Sequence, residues 1–190
     1  PETMLGETGV AVNPKDKRNK KLVGKTVLLP IVNREVPIFA DDFVDMEFGT
    51  GALKITPAHD FNDFEAGERH QLPRLSIFNC YGQFDLETLQ KVEVTSPLRK
   101  QLGQIPLIKA RQIIIEALQA QELLLSIEDH QMALGKCYRC KTVVEPFLSP
   151  QWFVKIQPLA NPAIRAVETG KIRIIPEGWA NNYLGWMRGI

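Results

Sequence analysis

Short runs rich in β-branched residues follow one another closely along the chain, and this spacing constrains the fold most. The runs Lys25–Leu29 and Glu35–Ala40 are separated by only a few residues, which predicts a hairpin-like pair of strands. Further strands are predicted at 9–13, 52–56, 75–80, 143–147 and 171–175. Because strands and helices are interleaved through short connections, we predict an α+β fold with a mixed sheet or small β-barrel core and flanking helices, not a doubly wound parallel sheet.

Helix signals separate these runs. Asp60 is a good N-cap for a helix that reaches about His70. Ser96-Pro97 is typical of a helix start, and apolar residues recur near helical spacing from Leu107 to about Leu123. Two more helices are predicted, at 158–169 and from 177 to the end.

The composition limits the class of protein. With 190 residues, of which 44% are hydrophobic, the chain can bury one sizeable core. Its net charge of +1 means that any nucleic acid must be held by a local basic patch. The apolar runs are too short to span a bilayer, so no membrane partner is expected. Three cysteines do not make a disulfide framework and are typical of a reducing compartment, which predicts a cytoplasmic location.

The densest polar cluster lies in the segment GTGALKITPAHDFND, residues 49–63. Side chains alternate between the faces of a strand, so Lys54 and Thr56 point the same way. Asp60 and Asp63 are three residues apart at a helix start and therefore share a helix face. The pattern places a cation, a hydroxyl and two carboxylates around one rim, which suits a small ligand that carries both charges.

A purely structural interpretation of these residues stays open on spacing alone. Asp60 can be only a helix cap, Asp63 can be only a favourable charge in the first turn, and Lys54 can shield a sheet face. His59, directly ahead of a helix, is more typical of a surface or capping histidine than of a general base.

The same segment resembles a known family. Residues 49–73, GTGALKITPAHDFNDFEAGERHQLP, resemble the second signature of the valyl-tRNA synthetase editing insertion, and the opening PETMLGETGVAVNP resembles the first. The stretches VNREVPIFADDFVDMEF, CYRCKTVVEPFLSPQWFVKI and IIPEGWANNYLGWM are similar to the same family, so the resemblance covers nearly the whole chain. Leucyl enzymes typically carry a Val-Pro-Ala-His-Asp form and isoleucyl enzymes an Ala-Pro-Gly-His-Gly type, whereas the form here is the valyl one.

The resemblance implies post-transfer editing, which is hydrolysis of the ester of threonine wrongly attached to the tRNA for valine, with no cofactor. Asp63 resembles the carboxylate that holds the substrate α-ammonium. Asp60, Lys54 and Thr56 resemble partners that recognise the threonine side chain or orient water. The residues that resemble walls near the terminal adenosine and the ester are Thr3 and Phe48.

The concentration of β-branched runs before Cys137, together with the resemblance, divides the chain into three parts. Residues 1–134 are expected to form the editing core, residues 135–157 a Cys-x-x-Cys knuckle and return stalk, and residues 158–190 a segment leading back to the catalytic domain. The chain begins without a Met and ends in an aromatic, helical stretch, so we expect a fragment of a larger synthetase, whose remainder is its partner.

A basic run follows the first predicted strand. It contains Lys15, Lys17, Arg18 and Lys20, opposed only by Asp16. Such a run is usually a solvated face, but the implied tRNA partner predicts phosphate contact here. Two other functions stay open: a non-catalytic tRNA-binding module, and an editing domain of the leucyl or isoleucyl type.

A Cys-x-x-Cys pair, Cys137 and Cys140, is typical of a zinc knuckle. Structural zinc usually takes four ligands, so this pair is half of a site. His130 is a further candidate ligand, though its spacing is weak. The resemblance implies that a second Cys-x-x-Cys lies upstream, and that zinc belongs to the full-length protein.

Overall fold

The computed structural model of the chain describes residues 1–92, 94–103, 105–129, 131 and 133–190. They divide into two compact units, Pro1–Leu148 and Ser149–Ile190. The strands of the first unit are β1 (Gly9–Val12), β2 (Thr26–Leu29), β3 (Arg34–Ala40) and β4 (Ala52–Ile55). Its helices are α1 (Phe61–His70), α2 (Leu86–Lys91), α3 (Ser96–Leu102) and α4 (Leu107–Ala120).

The strands form a four-stranded sheet in the order β2-β3-β1-β4. β3 pairs antiparallel with β2 and parallel with β1, while β4 pairs antiparallel with β1. The hairpin-like pair predicted from the sequence is confirmed as β2 and β3. Among the described strands, β2 and β4 are open edges, so the predicted mixed sheet is confirmed and the alternative of a closed barrel is not adopted.

Two apolar clusters hold the first unit together. In the larger one, α4 contributes the buried residues Leu107, Ala110 and Ile114, whose spacing confirms the predicted amphipathic helix. Each fully buried Leu or Ile side chain contributes about 1.5–3 kcal/mol. The smaller cluster joins β1, β4 and α1 through Ala11, Val44, Ile55 and Ala66. This smaller cluster fixes α1 against the sheet, beside the end of β4.

Helix α1 confirms the cap that the sequence predicts. The carboxylate of Asp60 accepts hydrogen bonds from the backbone N–H groups of Asn62 and Asp63, at 2.8 and 3.0 Å. The helix also lies very close to the turn at Pro57, because Gly67 faces it. A Cβ added to Gly67 would lie 2.8 Å from both Cβ and Cγ of Pro57. The distance between the end of β4 and α1 therefore depends on this glycine.

Three stretches predicted as strands are not strands: 75–80, 143–147 and 171–175. Phe78 and Val143 each form only an isolated bridge. In the first stretch the Ile77 amide donates to Nε2 of His59, at 3.1 Å, instead of to a neighbouring strand. The apolar side chains of this stretch still enter the core, which explains the strand-like pattern. Helix α2 was not anticipated.

The second unit contains α5 (Gln157–Glu168) and α6 (Trp179–Arg188), which confirms the two helices predicted there. An ion pair of 2.7 Å between Arg188 and Glu168 ties α6 to α5. The domain limits predicted after residues 134 and 157 remain predictions. In the part of the chain that the structure describes, no helix has the length and apolar character needed to cross a membrane.

Candidate active site

A pocket of about 300 Å³ lies where β4 meets the first turn of α1. Its lining residues are Thr3, Phe43, Leu53, Lys54, Thr56, His59, Asp60, Asn62 and Asp63. The residues that the family resemblance assigns to the substrate or the reaction thus lie together, except Phe48, which is 63% exposed on the preceding loop. A larger cavity of about 500 Å³ has, among the described residues, no carboxylate on its walls, so the smaller pocket is the candidate site.

Three side chains of the pocket form a hydrogen-bonded chain. Nζ of Lys54 donates to Oγ1 of Thr56 at 2.9 Å. The Thr56 hydroxyl donates in turn to Oδ2 of Asp63 at 3.0 Å, and the Thr56 amide donates to the same oxygen at 2.8 Å. Thr56 is only 1% exposed. The hydroxyl proton is therefore committed to Asp63, and the strand end is fixed to the helix.

Asp60 has a structural role whatever else it does. Its Oδ1 caps α1, and its side chain also lines the pocket. The structural interpretation left open by the sequence is therefore confirmed for the cap. A carboxylate has further lone pairs, so capping leaves it able to contact a ligand.

Asp63 is a buried carboxylate, 6% exposed, and its surroundings compensate its charge only in part. Burial raises the pKa of Asp63, while the hydrogen bonds from Thr56 and the charge of Lys54 lower it. The nearby charge of Asp60 raises it further. A cation bound beside Asp63 would favour the ionised form, so the carboxylate is suited to hold an ammonium group.

A second buried carboxylate, Glu7, was missed by the sequence interpretation. It is 6% exposed, and burial raises its pKa to about 7. The charges of Lys54 and Arg34 act in the opposite direction, and Asp63 raises the pKa further. Its backbone oxygen accepts a hydrogen bond of 2.6 Å from Arg34. The available signal was an acidic residue two positions ahead of an apolar strand, where a buried carboxylate is either compensated or protonated.

His59 differs from the surface or capping residue that the sequence favours. It is buried, it stacks on Phe78 with ring centroids 3.8 Å apart, and its Nε2 accepts from the Ile77 amide. Burial lowers the pKa of His59 to about 4, and the charge of Lys54 lowers it as well. The ring is neutral near pH 7 and its Nε2 lone pair is occupied, so His59 fixes the turn instead of acting as a base.

The basic run does not present all its side chains in the same way. Lys15, Lys17 and Lys20 are exposed. Arg18 is exposed as well, but its guanidinium forms an ion pair with Asp16 at 3.0 Å and donates to the backbone oxygen of Met46 at 2.6 Å, while Lys15 makes only a longer contact of 3.8 Å with Asp42. Phosphate contact through the three lysines stays a prediction, and the Arg18 guanidinium already has partners within the protein.

The Cys137–Cys140 pair lies in a turn, as predicted. The Cys140 thiol donates to the Thr142 hydroxyl at 3.2 Å, and the thiol pKa is lowered to about 7 by this contact and the Thr142 backbone. Such a thiol favours the thiolate form that zinc binds. Within the described residues, no group of three or more His, Cys, Asp or Glu side chains is arranged to hold a metal. His130 lies outside the described residues.

Comparison with known proteins gives a consistent result. A family model described as "Leucyl-tRNA synthetase, editing domain" matches residues 7–99. The chain is 52% identical over 190 residues to the valine–tRNA ligase of Geobacter sulfurreducens, covering 100% of this chain and 20% of that protein. It is 49% identical over 187 residues to the valine–tRNA ligase of Thermotoga maritima, covering 98% of this chain and 20% of that protein.

The chain thus spans about a fifth of the length of the curated relatives that it matches. The family model covers residues 7–99, which include every lining residue of the pocket except Thr3, and the valine–tRNA ligases match along essentially the whole chain. The two findings agree on an editing domain, and the long matches at about half identity select the valyl type over the leucyl and isoleucyl alternatives. The chain belongs to the editing-domain family of aminoacyl-tRNA synthetases, in the branch of the valine–tRNA ligases.

Proposed function

We propose that this chain carries out post-transfer editing as part of a valine–tRNA ligase, by hydrolysing the ester of threonine attached to the tRNA for valine. The observation that carries the proposal is the hydrogen-bonded chain of Lys54, Thr56 and Asp63 in a pocket of about 300 Å³. It combines a cation, a hydroxyl and a carboxylate at fixed distances in one small volume.

Threonine differs from valine by a hydroxyl in place of a methyl group. A hydrophobic synthetic pocket cannot reject that hydroxyl by size, and valyl enzymes are the known instance of this limit, at about 100-fold discrimination. A polar editing pocket reverses the preference. Threonine can satisfy its buried hydrogen-bonding groups, whereas valine would leave them without partners at a cost of about 1–3 kcal/mol each.

In this mechanism Asp63 holds the α-ammonium of the aminoacyl group. Lys54 and Asp60 flank the Thr56–Asp63 contact, where they recognise the threonine hydroxyl or orient the attacking water. Thr3, and Phe48 on its loop, form the wall near the terminal adenosine. Binding the ammonium end and the water in one geometry supplies the orientation that an ester hydrolysis needs.

The reaction we propose uses water directly. Water attacks the ester carbonyl, the acyl–oxygen bond breaks, and threonine and the free 3′ end of the tRNA leave. The Thr56 hydroxyl is only 1% exposed and its oxygen already accepts from Lys54, so it is poorly placed to attack the ester itself, and the Nε2 lone pair of His59 is occupied. The step is proposed to need no cofactor.

The partners follow from this reaction. The tRNA for valine presents its aminoacylated 3′ end to the pocket, and Lys15, Lys17 and Lys20 contact its phosphates. The remainder of the synthetase is the covalent partner, and the cytoplasm is the compartment. Cys137 and Cys140 would supply two thiolates to a structural zinc in the full-length protein, with the other ligands coming from elsewhere in it.

Deacylation of a panel of aminoacyl-tRNAs tests the proposal. The full-length protein should release threonine from the tRNA for valine and leave the valyl ester intact. A non-catalytic binding module would release neither amino acid. Release from misacylated leucine or isoleucine tRNAs, but not from the valine tRNA, would instead assign the leucyl or isoleucyl type.

Lys54→Met tests whether the pocket is the site of the reaction. Methionine keeps the apolar stem that covers the sheet but removes the ammonium. Threonine release should fall strongly while the melting temperature stays nearly unchanged. Full activity in Lys54→Met would place the reaction outside this pocket.

A further inference from the structure

The loop of residues 41–51 joins β3 to β4 and carries both Phe43 and Phe48; we call it the aromatic loop. Some of its carbonyl oxygens accept from amides of the loop itself, as that of Phe48 does from Gly51. The segment after β1 supplies side-chain donors to several others. Asn13 donates through Nδ2 to the backbone oxygens of Asp42 and Val44, at 3.3 and 2.8 Å.

The same segment also holds the second half of the aromatic loop. Nη2 of Arg18 donates to the backbone oxygen of Met46 at 2.6 Å, and Nδ2 of Asn19 donates to that of Thr50 at 3.0 Å. These two carbonyls lie on either side of Phe48. The backbone position of Phe48 in the aromatic loop therefore depends on Arg18 and Asn19.

Asp16 organises both donors. It is only 4% exposed, and its carboxylate accepts from Nε and Nη2 of Arg18, each at 3.0 Å, and from Nδ2 of Asn19 at 3.0 Å. The Arg18 amide also donates to it, at 2.9 Å. A two-pronged contact with a planar guanidinium fixes its orientation as well as its charge. Asp16 thus orients the Arg18 guanidinium towards the backbone oxygen of Met46.

Gly51, at the end of the aromatic loop, shows how closely the loop and these side chains approach. A Cβ added there would lie 2.7 Å from both Nη2 of Arg18 and Oδ2 of Asp16. Gly51 also has φ +71°, and its amide donates to the Phe48 oxygen at 3.0 Å. The loop therefore closes on the Asp16–Arg18 pair at a position where only glycine fits without movement.

We propose that Asp16, Arg18 and Asn19 are positioning residues that hold the aromatic loop beside the hydrolytic pocket, with Phe43 in the pocket lining and Phe48 on the side where the family resemblance implies the terminal adenosine. This inference rests on the proposed function. It gives Arg18 a different role from the phosphate contact that its place in the basic run predicts. Arg18 acts on the aminoacyl end of the substrate through Phe48, whereas the three exposed lysines keep the role of phosphate contacts.

Arg18→Lys separates the two roles, because lysine keeps the positive charge but loses the planar fork. If Arg18 is a positioning residue, kcat/KM for threonine release should fall roughly 10- to 100-fold, the range expected for losing charge-assisted hydrogen bonds. The salt dependence of tRNA binding should not change, since the charge remains. Unchanged kcat/KM would overturn the proposal. Arg99→Lys is the matched control, because the Arg99 side chain has no hydrogen bond or ion pair within the described chain.

A double-mutant cycle tests whether Arg18 acts through Phe48. In a Phe48→Ala background, Arg18→Lys should cause little further loss, because the side chain that it positions is gone. If the two losses multiply, Arg18 acts by another route and the proposal is wrong. Phe48→Leu replaces Phe48→Ala in the cycle if the activity of the alanine variant falls below detection.

The rate of amide hydrogen exchange in peptides covering residues 41–51 measures how firmly the aromatic loop is held, independently of catalytic activity. Exchange there should be faster in Arg18→Lys and Asp16→Asn than in the wild type, and unchanged in Arg99→Lys. If the wild type releases no threonine, the proposed function fails, and exchange still decides whether the loop is held in this way. Equal exchange in all four proteins would overturn the positioning role even if editing activity is present.

Discussion

The backbone amide and the hydroxyl of Thr56 donate to one and the same carboxylate oxygen of Asp63, at 2.8 and 3.0 Å. This double contact joins the end of β4 to the first turn of α1. It engages Oδ2 of Asp63 twice, and no hydrogen bond to Oδ1 occurs within the described residues. A ligand ammonium would find a carboxylate that is already oriented and whose second oxygen can accept.

Asp63→Asn should abolish threonine release while leaving the fold intact. The amide oxygen of asparagine can accept both Thr56 hydrogen bonds, so the link from strand to helix survives, but the negative charge needed to hold an ammonium is lost. We expect a fall in kcat/KM of at least about 100-fold, in line with about 3 kcal/mol for a charge-assisted hydrogen bond. Single-turnover deacylation and thermal unfolding, measured together, check both parts.

Asp63→Ala is the comparison for that experiment. It leaves the Thr56 amide and hydroxyl buried without their acceptor, which costs about 1–3 kcal/mol each. The melting temperature should therefore fall in the alanine variant and not in the asparagine variant. If asparagine retains activity and only alanine is unstable, Asp63 is a structural link and not the ammonium anchor.

The stability of the first unit should depend on pH through Glu7. Its pKa is raised from 4.5 to about 7 in the folded protein, so the folded state holds the proton more tightly than the unfolded state. The contribution of Glu7 to stability is then fully present below pH 4.5, falls as the pH rises from 4.5 to 7, and is constant above that range, with a total change of up to about 3 kcal/mol. Asp63, whose pKa is also raised, adds a change of the same sign.

Glu7→Gln should remove the Glu7 part of this change. Relative to the wild type, the variant should gain stability at pH 8 compared with pH 5, as measured by urea unfolding at both values. Glu65→Gln, at an exposed position of α1, should leave the difference between the two pH values as it is. A Glu7→Gln profile that runs parallel to the wild type would show that Glu7 is already ionised in the folded state at pH 5.

The sequence predicts those features of the site that depend on neighbouring residues, namely side-chain alternation along a strand and helix capping. Side-chain alternation along β4 places Lys54 and Thr56 on one face, and capping chemistry places Asp60 at the start of α1. Both rules operate over a few residues, so a single sequence contains them. The assignment of roles within the pocket, by contrast, came from the family resemblance and not from spacing.

What the sequence did not predict depends on contacts between distant segments. Buried Glu7 feels the charges of Arg34 and Lys54 from other strands, and buried His59 stacks on Phe78, which is 19 residues away. Arg18 belongs to a basic run by composition, but the Met46 carbonyl that it contacts is 28 residues away. Residue spacing carries no information about such contacts.

The exposed lysines of the basic run should contribute to tRNA affinity through charge alone. Lys17→Gln combined with Lys20→Gln should weaken binding of all tRNAs similarly and reduce the slope of log affinity against log salt by about 1 to 2. Filter binding across a salt series measures the slope. Lys100→Gln on α3 removes one positive charge outside the basic run. It therefore controls for the effect of net charge alone on the affinity for tRNA. A slope that stays at the wild-type value would show that the run is a solvated face.

Replacing Asp60 by serine should preserve the cap of α1 but not the release of threonine. Serine also caps helices, so Asp60→Ser should keep stability, whereas Asp60→Ala should lose about 1 kcal/mol. If the carboxylate contacts the threonine hydroxyl or the water, both variants should lose threonine release to a similar extent. Asp60→Ser with wild-type kcat/KM and an unchanged melting temperature would mean that Asp60 is only the cap of α1.

Gly67→Ala should damage both stability and editing, although alanine is the better helix former. In an open helix position the change from glycine to alanine gains up to about 1 kcal/mol. At Gly67 the new Cβ would lie 2.8 Å from two atoms of the rigid Pro57 ring, so the backbone must move, and overpacking of this kind costs about 1–3 kcal/mol. The overpacking cost exceeds the propensity gain, so the melting temperature should fall. Displacing α1 from the turn also separates Asp63 from Thr56, so threonine release should fall more steeply than stability alone explains.

Gly185→Ala in α6 is the matched control, because a Cβ there meets nothing within 4 Å, and it should raise stability slightly without affecting editing. If Gly67→Ala is as stable and as active as the wild type, the close approach of α1 to Pro57 does not set the geometry of the pocket.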